Sequence, residues 1–221
     1  MLNLDLLRPP GQPLRVLALG AHSDDIEIGC GGTLLQWLDD HDAVEVLWVV
    51  LSASPVRKRE AEASAARFLR PARRRSVLVQ DFRDGFFPFV GAELKEFFEE
   101  LKPLFRPDIV FTHYREDRHQ DHRTVSDLTW NTFRDHLIFE YEIPKYDGDL
   151  GRPNFFVPLS KAHCRKKLAW LRRGFPSQAD NDWFTDETFL GLMRLRGVEC
   201  HSPSGYAEAF HCRKAILGGR R

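Results

Sequence analysis

The chain is predicted to be an α/β protein built on a mainly parallel sheet. Three observations predict it. Short apolar runs alternate with helical stretches across residues 1–145, the pattern of βαβ units with both sheet faces covered. The apolar fraction, 43% of 221 residues, supplies a sizeable core. Two acid–histidine clusters, His22-Ser23-Asp24-Asp25 and His119-Gln120-Asp121-His122, each follow an apolar run that reads as a strand. Parallel sheets bind ligands at the carboxyl ends of their strands, where both clusters fall.

Residues 14–19 are an apolar run ended by Gly20 and read as a buried strand. Gly31-Gly32 opens a helix over residues 33–40, with Leu34, Leu35 and Leu38 on one face. Residues 44–51, rich in valine, are the second strand, and residues 55–69 a helix of Arg, Glu and Ala. Residues 76–79 are the third strand. Residues 91–101 are a helix stopped by Pro103. Residues 108–112 are the fourth strand, residues 123–133 a helix and residues 138–143 a further strand. Beyond Lys145 the pattern loosens. Pro153, Pro158, Pro176 and Pro203 interrupt it, with helices at residues 161–172 and around 188–194. A single domain over residues 1–221 is expected, with a βαβ core at 1–145. The 146–221 extension is expected to be loops covering the sheet edge or the site.

Charge excludes some classes. Lysine plus arginine balance aspartate plus glutamate, 32 against 32, which gives no reason to expect nucleic acid or an anionic membrane surface. The basic runs Arg73-Arg74-Arg75 and Arg165-Lys166-Lys167 read as solvated faces. No apolar stretch reaches the ~18 residues of a membrane span. Met1 to Arg8 lack the features of a secretory signal. Four scattered cysteines without a C-x-x-C pair suit a reducing compartment, so a cytoplasmic protein is expected.

The clusters point to metal-assisted hydrolysis. A catalytic zinc site commonly uses three His or carboxylate ligands and keeps a position for water, whose pKa falls toward ~7. His22 and Asp25, three apart at a strand-to-helix turn, can face one cavity, and His122 supplies a third ligand. Asp24 can face the substrate as a carboxylate that binds no metal. Asp121 and His119 remain for supporting and acid roles. Taken alone, each cluster reads as structural, since Asp and Ser before a helix are usually N-caps. The glycines of Gly29-Cys30-Gly31-Gly32 suggest a dinucleotide fold, but G-x-G-x-x-G is absent, and carboxylates occupy the turn where a pyrophosphate needs bare amides.

Ala21-His22-Ser23-Asp24-Asp25-Ile26-Glu27-Ile28-Gly29-Cys30-Gly31-Gly32-Thr33-Leu34, followed by Asp117-Arg118-His119-Gln120-Asp121-His122-Arg123, closely resembles the LmbE-like, or PIG-L, family of zinc-dependent N-deacetylases. Weaker matches include Asp84-Gly85, Ser177-Gln178 and Tyr206-Ala207-Glu208-Ala209-Phe210. The resemblance implies a Rossmann-like three-layer fold and removal of an N-acetyl group from a small amino-sugar substrate of N-acetylglucosamine type. It implies zinc, or another divalent transition metal, on His22, Asp25 and His122, with Asp24 as general base. Asp121 and His119 would be supporting or oxyanion-stabilising groups, and Arg57 and Asp84 would contact the sugar. It also favours a homo-oligomer. Ser23 stands where the family usually has proline, and Ile26 where an acid commonly follows the Asp pair; changed loop rigidity is the expected effect. The alternatives are hydrolysis of another acyl amide or ester, and a non-catalytic metal-dependent sugar-binding protein. The latter has no need of Asp24 and Asp121.

Other residues read more plainly. His113 is expected to support the metal through a hydrogen bond. His136, His163 and His201 are read as surface or loop residues. Phe86, Phe87, Trp183 and Phe184 are read as packing groups, with a sugar-stacking rim as the alternative. Cys30 is read as a small buried filler.

Overall fold

The computed structural model describes residue 4, residues 12–41 and residues 43–216. The reading of Met1 to Arg8 as no secretory signal lies, apart from Leu4, outside the described residues. Seven strands, β1 (Leu14–Gly20), β2 (Val44–Val50), β3 (Arg74–Val79), β4 (Ile109–His113), β5 (Leu137–Tyr141), β6 (Phe155–Pro158) and β7 (Ala207–His211), form a sheet in the order β3-β2-β1-β4-β5-β7-β6. The first five in that order run parallel. β7 joins β5 antiparallel, and β6 joins β7 antiparallel.

Six helices cover the sheet among the described residues: α1 (Asp25–Asp40), α2 (Pro55–Phe68), α3 (Gly91–Leu104), α4 (Gln120–Thr132), α5 (Lys161–Gly174) and α6 (Asp186–Glu199). The alternation of β1 explains the layers. Val16 and Ala18 pack with α1, α2, α5 and α6, whereas Leu17 and Leu19 pack with α3 and α4. Both faces are buried, so the central strands read as unbroken apolar runs. No described helix is long and apolar enough to cross a membrane.

α1 begins at Asp25, eight residues before the start read from sequence. Its glycines fit close packing: a Cβ on Gly29 would overlap the Tyr141 ring, and one on Gly32 would lie 2.5 Å from Leu159 Cδ1. These contacts, not a phosphate cradle, account for the glycine-rich run. Pro103 does not stop α3 ahead of itself but sits in its last turn, where it removes one intrahelical N–H bond, and the helix ends one residue later at Leu104. α4 starts at Gln120, three residues early, so the second cluster opens the helix.

The extension differs most from expectation. Between and beyond the expected helices it adds β6 and β7 to the sheet, and the expected helix α5 packs on α1 and α2. Lys167, read as part of a solvated run, is buried and ion-paired with Glu208 at 2.6 Å. Glu208 also accepts the mid-helix N–H groups of Gly32 (2.8 Å) and Thr33 (2.7 Å), and Lys167 donates to Ile28 O. The extension thus grips α1, which carries the first cluster. His163, read as a surface or loop residue, lies in the first turn of α5 between Ser160 Oγ (2.9 Å) and Asp39 Oδ2 (2.9 Å). Ser160 is simply the N-cap of α5 there, accepting the His163 N–H.

β1 is followed in sequence by β2 on one side, and β4 pairs with it on the other. The strand order therefore reverses beside β1, and the crevice between the carboxyl ends of β1 and β4 receives both clusters.

Candidate metal centre

The turn from β1 into α1 presents His22, Asp24 and Asp25. Asp24 occupies the N-cap position of α1 but does not cap it with its side chain. Its carboxylate turns to Arg57 in the first turn of α2, whose guanidinium donates to Oδ1 at 2.7 Å. Oδ2 is buried and has no hydrogen-bond partner among the described residues. Burial raises the Asp24 pKa above the ordinary aspartate value, and Arg57 opposes that rise. Asp25 Oδ2 accepts the His22 N–H at 2.6 Å, which closes the turn.

Ring nitrogens of His22 and His122 converge on the two carboxylate oxygens of Asp25. His22 Nδ1 lies 3.2 Å from His122 Nε2 and 3.5 Å from Asp25 Oδ2, and His122 Nε2 lies 3.6 Å from Asp25 Oδ1. Ligands at zinc bond lengths on a tetrahedron stand roughly 3.3–3.6 Å apart, so the trio has the right size. The far side of each ring faces carboxylate. His122 Nδ1 lies 3.0 Å from Asp117 Oδ2, and His22 Nε2 lies 3.0 Å from Asp84 Oδ1 and 3.3 Å from Asp121 Oδ2. Those carboxylates favour protons on the far nitrogens and leave lone pairs facing Asp25. Such a donor set calls for a cation.

The titration tendencies divide the two rings: carboxylates around His22 favour its protonated form, which a cation would have to displace, whereas His122 is neutral. Burial disfavours a charged His22, but hydrogen bonds that the ring donates to Asp121, Asp25 and Asp84 outweigh it and hold the ring well above its ordinary pKa. Burial disfavours an ionised Asp25, yet His122 and His113 hold its pKa well below the ordinary value. Burial, reinforced by His113, takes His122 down to about 3, so this ring is neutral and able to bind a metal.

The remaining residues surround this trio. His119 caps α4, its Nδ1 accepting the Asp121 N–H at 3.3 Å, and its ring lies over His122. Asp121 accepts from the N–H groups of Gly85 (2.6 Å) and Phe87 (3.1 Å), while Gln120 Nε2 donates to Gly85 O. Gly85 has φ +77°, a turn that glycine makes without strain. This clamp places Asp84, three-quarters exposed, over His22. All eight residues singled out from sequence, His22, Asp24, Asp25, Arg57, Asp84, His119, Asp121 and His122, therefore meet in one crevice. Among the described residues, three overlapping trios have ligand atoms within 4.8 Å of one another: His22/His119/His122, Asp25/His113/His122 and His22/Asp84/Asp121.

Two further residues surround the site, His113, already read from sequence as a hydrogen-bonding support, and Asp117, which the sequence reading leaves without a role. His113, at the end of β4, stacks on His122 with centroids 3.9 Å apart, lies 3.2 Å from Asp25 Oδ2 and takes the Ala21 N–H at 2.9 Å. Asp117 lies inside the second motif but had no role assigned. Its place behind His122 is signalled only by an acid five residues before a histidine. Of the aromatic residues, Phe87, Trp183 and Phe184 pack inward, whereas Phe86 is exposed beneath the Arg83 guanidinium. Cys30 is a buried filler, and all four cysteines are free.

Residues 17–133 match the PIG-L family model, described as GlcNAc-PI de-N-acetylase. The fold is similar to three solved structures. The conserved protein TT1542 from Thermus thermophilus is 23% identical, with TM-score 0.73 over 93% of this chain and 97% of that one. N,N'-diacetylchitobiose deacetylase from Pyrococcus horikoshii is 22% identical, with TM-score 0.68 over 94% and 86%. GalB, the 4-carboxy-2-hydroxymuconate hydratase from Pseudomonas putida KT2440, is 17% identical, with TM-score 0.74 over 94% and 99%. At these identities the likeness establishes the LmbE-like fold alone. The family match spans more than half of the sequence and contains both clusters, and the chain belongs to the PIG-L (LmbE-like) family.

Proposed function

We propose that this chain is a zinc-dependent hydrolase that removes an N-acetyl group from an amino-sugar derivative of N-acetylglucosamine type. One observation carries the reading: Asp24 Oδ2, buried and unpartnered among the described residues, beside acceptor atoms of His22, Asp25 and His122 that lie 3.2 Å, 3.5 Å and 3.6 Å apart pair by pair.

His22, Asp25 and His122 would hold the metal, and the chemistry it supplies when bound is Lewis acidity toward the amide carbonyl and a lowered pKa for water. Asp24 acts as general base. Arg57 fixes its Oδ1, and Oδ2 takes the proton of the attacking water. The same carboxyl group then returns the proton to the departing amine. His119 accepts an N–H at Nδ1, so its proton sits on Nε2, available to the oxyanion that develops on the carbonyl oxygen. Burial lowers the His119 pKa and keeps this ring a neutral donor. Asp121 orients His22 and the turn at residues 84–87. Asp84 and the free N–H groups of Arg57 face the entrance, where sugar hydroxyls would be met.

Acetate release from a panel of N-acetyl and O-acetyl sugars tests the reading. Release from an N-acetyl substrate, abolished in Asp24→Asn, supports it. Turnover of O-acetyl substrates alone would replace the amide with an ester. No release by metal-loaded protein from any acetylated sugar would overturn it.

A further inference from the structure

We propose that Lys145 is a positioning residue of the metal centre, acting on His122 through Asp117; this rests on the reading of His122 as a ligand. Lys145 lies in the segment between β5 and β6, where the stretch read from sequence as the βαβ core gives way to the extension. Its side chain is 10% exposed, far less than an ordinary surface lysine. Its ammonium lies 2.6 Å from Asp149 Oδ2, 3.0 Å from Asp117 Oδ2 and 3.4 Å from Ile143 O.

Asp117 Oδ2 is the atom that matters. It faces the Lys145 ammonium and His122 Nδ1, each at 3.0 Å. One carboxylate oxygen is thus shared by a cation and a ring N–H. The carboxylate's other oxygen accepts the His119 N–H at 2.7 Å, so Asp117 is fixed at both ends. Asp149 Oδ2 also accepts the Arg118 N–H at 2.6 Å. Lys145 therefore joins two carboxylates from separate segments, 117–119 and 145–149, behind the imidazole. Without its charge, two nearly buried carboxylates would face each other unscreened, and the segments would separate. Asp117 would then leave the His122 ring without the partner that sets its orientation and tautomer. Outer partners of metal-bound histidine typically change metal affinity by about 10–100-fold.

Zinc affinity of the full chain, measured by chelator competition, tests this, together with the visible spectrum of the cobalt-substituted protein and the melting temperature of the metal-free protein. Lys145→Met is expected to weaken zinc binding by about tenfold or more and to shift the cobalt bands. Lys145→Arg, which keeps the cation, is expected to restore affinity to within about threefold. A merely structural lysine would lower the melting temperature and leave affinity and spectrum unchanged, and that result overturns the proposal. If Lys145→Met does not fold, Asp149→Asn is read instead: a weaker zinc affinity with shifted bands supports the proposal, and wild-type values overturn it. A wild-type chain that takes up no metal would sink the ligand assignment itself, a different outcome from tight binding that ignores Lys145.

Discussion

Arg57 donates to one oxygen of Asp24 at 2.7 Å and leaves the other oxygen buried without a partner. A buried carboxylate oxygen normally finds a donor. Here Arg57 anchors the group and the second oxygen stays available, the arrangement a general base needs. Asp24→Asn keeps the shape and removes the basicity. It is expected to retain metal and to lower kcat by roughly 10²–10⁴-fold, the usual contribution of a positioned base. Metal content and acetate release on the same preparation check both halves, and activity within a few-fold of wild type would remove Asp24 from that role.

Gly29 lets α1 approach β5. A methyl group there would enter the Tyr141 ring, whose hydroxyl donates to Leu19 O at 2.6 Å. Gly29→Ala is expected to destabilise the fold by about 1–3 kcal/mol through overpacking. Urea unfolding measures it, and an unchanged midpoint would mean that α1 shifts freely.

Lys167 and Glu208 are 2% and 4% exposed and pair at 2.6 Å. Lys167→Met leaves a buried carboxylate without its cation and is expected to cost about 3–5 kcal/mol. Adding Glu208→Gln should recover part of that loss, a coupling that a double-mutant cycle reads. Additive losses would show that the two side chains act separately.

His211, at the end of β7, stacks on Tyr114 with centroids 3.8 Å apart. Burial, aided by Arg213 and Arg196, holds its pKa down to about 4. The fold keeps the ring neutral, whereas the unfolded chain protonates it near pH ~6.5. Its contribution is therefore full above that value and is lost as pH falls toward 4. Between pH 7 and 4.5 the wild type is expected to lose more unfolding free energy than His211→Gln. Parallel losses in the two proteins would contradict this.

The central strands and both clusters were legible because their signals are local: unbroken apolar runs, then histidines and carboxylates at short spacing. The first two turns of α1 were not. Asp25-Ile26-Glu27-Ile28-Gly29 carries β-branched residues and glycine, and burial, with Gly29 against Tyr141 and the following Gly31 and Gly32 against Phe68 and Glu208, makes it helical in spite of propensity. β6 and β7 are four and five residues long, β6 ends in proline, and they pair with each other across some fifty residues, so no local pattern announces them. Lys145 gave no signal because its partners, Asp117 and Asp149, meet only in the fold.

Metal content of the purified chain, measured beside His22→Ala and His122→Ala, tests the central claim that clusters a hundred residues apart form one metal centre. About one zinc per wild-type chain, lost in both variants, is the result the site geometry predicts. A wild-type chain that takes up no divalent metal even when zinc is added, or variants that keep a full complement, would contradict it.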